Sequence, residues 1–443
     1  MAKSLFLDNL REHHRDKDNI SGADISGIAF DLLPSIVFNK DKEKLCYFIN
    51  KDKERLYTSY FIGADWINEN EQAYIYVEPK LNIGYNQTNY LEMLFTALKH
   101  SEITVDDTIN LFEIKFEETP IEINQKQDLL TPLIVVQFLS IVKEIVRKGL
   151  KKSYYKVEHN LYGKVKGKVM IGATIKQNVF KNKPLNTWCS YDEFGLNGLE
   201  NRLLKKALVF VQRYLPTYPH LNSEKYLEQS LGYIMPAFES VSEEVNINDI
   251  KNTKINAFYK EYSEGLKLAK LILKRFGYNI TNTTNDKILT PPFWIDMSKL
   301  FELYVLGLLK DAGKDVEFQF SNANYGNPDY LLKSENIIID AKYKTYYKES
   351  FKGQKQWKRD EIAKDIRQLS GYSRDFGVLE FFKLTAKDVL PIMVIYPRKG
   401  TENKITELNL IDQAEKSIEF AQYYKLAINL PLFPAMPPKQ EEN

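Results

Sequence analysis

The sequence predicts a multidomain α/β protein: a β-rich N-terminal domain, a helical and basic-hairpin middle region, and a C-terminal core whose mixed sheet is flanked by helices. Three observations carry this reading. A chain of 443 residues exceeds what one ordinary hydrophobic core organises. Its periodicity changes along its length, from short alternating apolar runs to long helical stripes and then to strands and helices in turn. A composition of 44% hydrophobic, 27% charged and 13% aromatic residues excludes a wholly disordered chain. The expected domains are 1–140, 141–285 and 286–435, followed by a polar, disordered tail at 436–443.

In the first domain, the segments LCYFINKDKERLYTSYFIGADWI, QAYIYVEPKLNIGY and NLFEIKFEETPIEIN read as short strands bounded by turns, with a helix at 91–100. Apolar residues then recur at helical spacing over 129–150. The stretch LYGKVKGKVMIGATIKQNVF, 161–180, alternates like a strand hairpin bent at its glycines. Segments 201–215 and 257–276 are long amphipathic helices. The polar run GYNITNTTNDKILTPP breaks periodic structure and marks a boundary. Beyond it come a helix (297–312), three strands (315–320, 328–333, 336–344), a helix (358–373) and a strand (391–397), which is an α/β order.

A net charge of +2 conceals strong asymmetry. Residues 142–183 hold twelve Lys or Arg against two acids, and residues 341–367 hold nine against four, whereas residues 101–126 hold seven acids against two lysines. The basic stretches suit a polyanion or a solvated lysine-rich surface. The only cysteines, Cys46 and Cys189, are too few for a disulfide framework or a zinc site, which fits a reducing cytoplasm. No apolar run approaches the ~20 residues that span a bilayer, so no membrane is expected.

Chemistry concentrates in NPDYLLKSENIIIDAKYK, residues 327–344. With a turn centred between Ser334 and Glu335, Leu332 faces Ile337 and, three strand positions further out, Asp329 faces Asp340. Like charges directly opposed on neighbouring strands repel, and a cation would relieve the repulsion. Side-chain alternation puts Lys342 on the face of Asp340, about 7 Å along the strand. The preceding Ile337, Ile338 and Ile339 read as a strand buried on both faces. Two carboxylates, with the Ala341 carbonyl as a further oxygen, suit Mg2+, which keeps several waters; Mn2+ would take the same ligands. Metal-assisted phosphodiester hydrolysis follows, with Lys342 orienting the attacking water or stabilising the transition state.

The pattern P-D-x10-D-A-K resembles the active-site motif of the PD-(D/E)xK nuclease superfamily. In KRDEIAKDIRQLSGYSRD, Gln368 and Tyr372 lie four residues apart on one helix face and resemble the Q-x-x-x-Y element of RecB-like nucleases. FWIDMSKLFELYVLGLL, with Leu300, Phe301 and Glu302, is similar to the first core helix of the McrC family, and LYGKVKGKVMIGATIKQN and LNGLENRLLKKAL are also similar to McrC segments. The resemblance implies a PD-(D/E)xK core in which Asp329 and Asp340 bind metal and Lys342 assists the water. Gln368 and Tyr372 would support the site or touch the phosphate backbone, and Glu302 would approach the metal through water. Tyr372 also fits a core position beside Ile362, Ile366 and Leu369. Lys164, Lys166, Lys168 and Lys344 are the expected DNA-contacting lysines, and KYKTYYKESFKGQKQWKR mixes aromatics with lysines as a DNA-flanking loop does.

McrC-like proteins are nuclease subunits of modification-dependent restriction systems of the 5-methylcytosine type, paired with an McrB-like AAA+ GTPase hexamer. The resemblance therefore implies methylated double-stranded DNA as substrate and a motor contacted by the N-terminal β-rich domain. GKVKGKV at 163–169 lacks the Walker A spacing and its Ser or Thr, so this chain is expected to bind no nucleotide itself. Two cuts for a double-strand break suggest two nuclease subunits. The competing readings are a non-catalytic activator of an AAA+ motor and a RecB-like nuclease without methylation dependence.

Overall fold

The segment FIGADWIN forms a strand, Phe61–Asn68, that is buried along nearly its whole length, so structure must cover both its faces. In the computed structural model, which describes residues 6–11, 23–24, 35–37, 45–50, 55–69, 73–81, 87–100, 111–115, 118–124, 130–214, 225–246, 260–279, 287–348, 356–398 and 405–432, it lies in the middle of a five-stranded sheet. The order is Phe6–Arg11, Ala73–Glu78, Phe61–Asn68, Phe293–Asp296 and Phe112–Ile114. The fourth strand comes from far along the chain and pairs antiparallel to its neighbours on both sides. Gly63 permits this approach: a Cβ there would fall 2.0 Å from the Phe293 carbonyl oxygen, and its φ is +154°.

This strand exchange changes the domain organisation. Tertiary contacts divide the chain into Met1–Leu130 with Asp286–Asn443, and Thr131–Asn285. The sequence reading separates an N-terminal domain from a C-terminal one, but the two segments fold as a single unit. The physical reason is that Phe293, Trp294 and Ile295 are fully buried and complete the N-terminal sheet. Two further contacts bind the segments. The helix Tyr90–Leu98 packs on Met297–Asp311, where a Cβ on Gly307 would lie 2.5 Å from the Thr96 carbonyl oxygen. Trp294 Nε1 donates to Asp65 (2.7 Å).

The same unit carries a six-stranded mixed sheet, ordered Val316–Phe318, Tyr330–Leu332, Ile337–Ala341, Ile392–Arg398, Tyr423–Asn429 and Glu415–Lys416. The first three strands are antiparallel, and Ile337–Ala341, Ile392–Arg398 and Tyr423–Asn429 run parallel. The helix Gln356–Tyr372 covers one face through Ile362, Ile366, Leu369 and Tyr372, which share a core with Leu331, Ile338, Val394 and Tyr423. A four-stranded sheet, Ala23–Asp24, Arg55–Thr58, Leu45–Asn50 and Ser35–Val37, also belongs to this unit. The tail expected at 436–443, the boundary residues 280–286 and most of the loop after Tyr347 lie outside the described residues.

The second unit contains the helices Leu199–Tyr214, Lys225–Ile234 and Lys260–Asn279, most of Leu130–Lys148, and a three-stranded sheet. A buried network holds it together: Tyr262 OH donates to Asn201 Oδ1 (2.7 Å), and Asn201 Nδ2 donates to the carbonyls of Lys151 (2.9 Å) and Leu196 (2.7 Å). The expected hairpin over 161–180 is corrected here. Ser153–Tyr162 pairs along its full length with Asn186–Gly195, Lys168–Val169 is a short third strand, and Ile171–Gln177 is helical. Gly163 and Gly167 take positive φ and end the alternation, and a ten-residue antiparallel ladder outcompetes the local hairpin. No helix among the described residues is long and apolar enough to cross a membrane.

Candidate metal centre

The candidate site residues lie at the open end of a strand pair. Tyr330↔Ile339, Leu331↔Ile338 and Leu332↔Ile337 are in register, and the next position outward places Asp329 opposite Asp340, as the turn-centred reading expects. Asn336, with φ 51°, occupies the left-handed conformation that a tight turn demands and that asparagine tolerates. Ile337, Ile338 and Ile339 are fully buried, and Lys342 N donates to the Ile395 carbonyl (2.9 Å). Two adjoining core strands therefore bring three ionisable side chains to one end.

Asp340 is 2% exposed. Lys342 Nζ stands 2.7 Å from its Oδ2 as an ion pair, yet that oxygen receives no aligned hydrogen bond among the described residues. Asp329 accepts the Ala341 backbone N–H at Oδ2 (2.8 Å). Its pKa is pushed well up by burial and then by the charges of Asp340 and Glu302. Burial also lifts Glu302, aided by Asp296 and Asp340 against Lys342 and Lys299, to about 7. Glu302 is brought here by the helix Met297–Asp311, whose Glu302 carbonyl accepts the Tyr330 hydroxyl (2.6 Å). Burial alone would lower the pKa of Lys342, but Asp340, Asp329 and Asp365 outweigh it and hold the ammonium above its ordinary value. The result is a crowded acidic cluster beside one firmly charged amine.

Gln368 and Tyr372 join this cluster through a chain of contacts. Lys342 Nζ donates to Gln368 Oε1 (3.3 Å), and Gln368 Nε2 donates to the Tyr372 hydroxyl (2.9 Å). Tyr372 is both core, at 5% exposure, and the end of this chain, so the two readings of it coincide. Lys344 departs from its expected DNA contact. It is buried and forms a bidentate pair with Asp365 (2.9 and 2.7 Å), an acid that also accepts the Tyr347 hydroxyl. Asp365 escaped the sequence reading, although it stood on the apolar stripe of Ile362, Ile366 and Leu369, where a carboxylate needs a cation. Lys164, Lys166 and Lys168 are exposed in the second unit; Lys166 lies 4.0 Å from the Tyr191 ring centre and 3.3 Å from Glu193.

The fit of this site to a divalent ion can be judged from its donors. Among the described residues no three His, Cys, Asp or Glu side chains are gathered to hold a metal ion. Two opposed carboxylates, one with an oxygen lacking a hydrogen bond, fit an ion that takes one or two carboxylates and keeps its waters.

A family model described as McrBC 5-methylcytosine restriction system component matches residues 61–382. No curated protein matches the chain. Among solved structures, the chain is similar to one described as a refined half-complex from the tetradecameric assembly of Thermococcus gammatolerans McrB AAA+ hexamers with bound McrC. Identity is 18%, coverage is 85% of this chain and 78% of that one, and the TM-score is 0.34. A cryo-EM structure of the Thermococcus gammatolerans McrBC complex matches at 15% identity over 71% of this chain and 89% of that chain, with a TM-score of 0.29.

Proposed function

The chain belongs to the McrBC 5-methylcytosine restriction-system family, and from that premise we propose that it is the DNA-cleaving subunit of such a system, hydrolysing phosphodiester bonds with Mg2+ or Mn2+. One observation carries the reading: the buried carboxylate of Asp340 lies on a core strand opposite Asp329, and a single ammonium, Lys342 at 2.7 Å, answers both acids. Like charges held together out of water cost stability, and a divalent ion would relieve them. Asp329, Asp340 and the Ala341 carbonyl would hold the ion. When bound, it polarises the phosphodiester and makes water a better nucleophile.

The protein's own groups then divide the remaining work. Lys342, held charged by its acidic neighbours, acts as a cation that stabilises developing negative charge and does not serve as a base. Gln368 orients that ammonium, and its own amide is oriented by Tyr372. Glu302, pushed up to about 7, can take up a proton released from the attacking water near neutral pH.

Methylated double-stranded DNA and an AAA+ partner belong to this reading as well. Support for a protein partner comes from the second unit, where Tyr162, Val165, Ile171, Val179 and Phe180 are exposed large apolar side chains within one small sheet-and-helix module; clustered exposure of this kind marks an interaction surface. This patch is proposed in addition to the expected partner contact on the N-terminal β-rich segment. The test is the full chain copurified with its AAA+ partner and assayed on methylated plasmid with GTP and Mg2+. Asp340→Ala should abolish cleavage while the complex still assembles. Undiminished cleavage would sink the assignment, and wild-type protein that drives the motor but never cuts would favour the activator reading.

A further inference from the structure

Next to the catalytic edge two aromatic side chains stand in solvent, where folding gains little from them. Tyr325 is 84% exposed and Phe376 is 72% exposed. Their backbones are nonetheless firmly placed. Asp375 accepts hydrogen bonds from Asn324 N (2.8 Å) and Asn324 Nδ2 (3.0 Å), and its Oδ1 also accepts Gly377 N (2.8 Å). A Cβ on Gly377 would fall 2.2 Å from the Asn322 carbonyl oxygen, so the two loops meet backbone to backbone. Each aromatic is the residue immediately after one member of the Asn324–Asp375 pair.

These loops are tied to the catalytic group. A Cβ on Gly326, the neighbour of Tyr325, would sit 3.1 Å from the Tyr372 hydroxyl. That hydroxyl accepts from Gln368, which accepts from Lys342, which pairs with Asp340. Positive charge lies on the same helix. Gln356–Tyr372 buries Ile362, Ile366, Leu369 and Tyr372 and exposes Arg367, Gln368 and Gly371, with Arg374 exposed in the turn that follows. Neither Arg367 nor Arg374 has an ion-pair partner among the described residues, and the space around Gly371 is open.

We propose that Tyr325, Phe376, Arg367 and Arg374 form a track for one unpaired nucleic-acid strand beside the catalytic carboxylates, with guanidinium groups on phosphates and rings against base faces. This rests on the nuclease reading and adds what the site holds. Cationic grooves combined with aromatic platforms are how proteins hold single strands without reading sequence, and the planar guanidinium fork suits phosphate oxygens. A paired duplex hides its base faces in the stack. Rings presented to solvent on pinned loops therefore find stacking partners only where the strands have parted.

The test uses the full chain in EDTA, which prevents cleavage, with a fluorescein-labelled 20-nucleotide single strand and its blunt duplex in anisotropy titrations. Replacing both aromatics (Tyr325→Ala with Phe376→Ala) should weaken single-strand binding about tenfold or more while changing duplex binding no more than about twofold, and Tyr325→Phe with Phe376→Tyr should retain it. Arg367→Ala and Arg374→Ala should each reduce the salt slope of single-strand binding by about 0.7. Unchanged single-strand affinity in the aromatic-to-alanine protein, or an equal loss on the duplex, would overturn the proposal. Because the readout is binding without cleavage, that failure is distinct from failure of the Asp340→Ala cleavage test.

Discussion

Asp65 and Asp340 are both almost fully buried, at 1% and 2% exposure, and both have a lysine ammonium close by, at 2.9 and 2.7 Å. They differ in how their oxygens are satisfied. Asp65 accepts Trp66 N at Oδ1 (2.8 Å) and Trp294 Nε1 and Lys115 Nζ at Oδ2 (2.7 and 2.9 Å). Asp340 keeps an oxygen without a hydrogen bond and has other carboxylates for neighbours. Burial pushes the pKa of Asp65 up as well, but there Lys115 and the donors oppose it. A buried acid ringed by donors holds a fold together; one crowded by other acids around a single ammonium is positioned for something the chain does not itself supply.

The sharpest way to break this comparison is to remove each acid. Asp65→Ala strands Lys115 and Trp294 in the five-stranded sheet and should cost about 3–5 kcal/mol in urea unfolding. Asp340→Asn relieves repulsion and should leave metal-free stability equal or higher. Equal losses at both positions would erase the distinction. A smaller effect is expected from the ion. Mg2+ at a hundred times its dissociation constant should stabilise the wild-type protein by about 2.7 kcal/mol, an increment that Asp340→Ala removes in thermal melts. No Mg2+-dependent shift in the wild-type protein would contradict the metal assignment.

A pH dependence offers a third test. Glu302 holds its proton in the folded state up to about pH 7, against an ordinary value of 4.5. Its contribution to metal-free stability is therefore full below 4.5 and declines as pH rises through 7, because the unfolded chain releases the proton earlier. Glu302→Gln should flatten that decline in Tm measured between pH 4.5 and 7.5. A slope unchanged by the substitution would place the titrating group elsewhere.

Much of the candidate site was legible in the sequence because its geometry is local. Strand alternation and turn position determine that Asp329 faces Asp340 and that Lys342 shares their side, and helical spacing puts Gln368 and Tyr372 on one face. Elsewhere local rules misled. Alternation over 161–180 suggested a hairpin, but the partner of Ser153–Tyr162 lies at Asn186–Gly195, and the residues between form a helix. Lys344 looked like one more basic surface residue until Asp365, on another element, claimed it.

From the order of residues alone came the α/β character, the opposed carboxylates and the helix that supports the lysine, since each depends on contacts within a few tens of residues. Only the tertiary structure decided that Phe293–Asp296 completes the N-terminal sheet, and that a long segment is inserted between two halves of one unit. It also decided that Trp294 reaches Asp65. Those outcomes depend on partners far apart in the chain, such as Phe293 with Ala64 and with Ile114, and no periodicity within either segment specifies where the other strand will be.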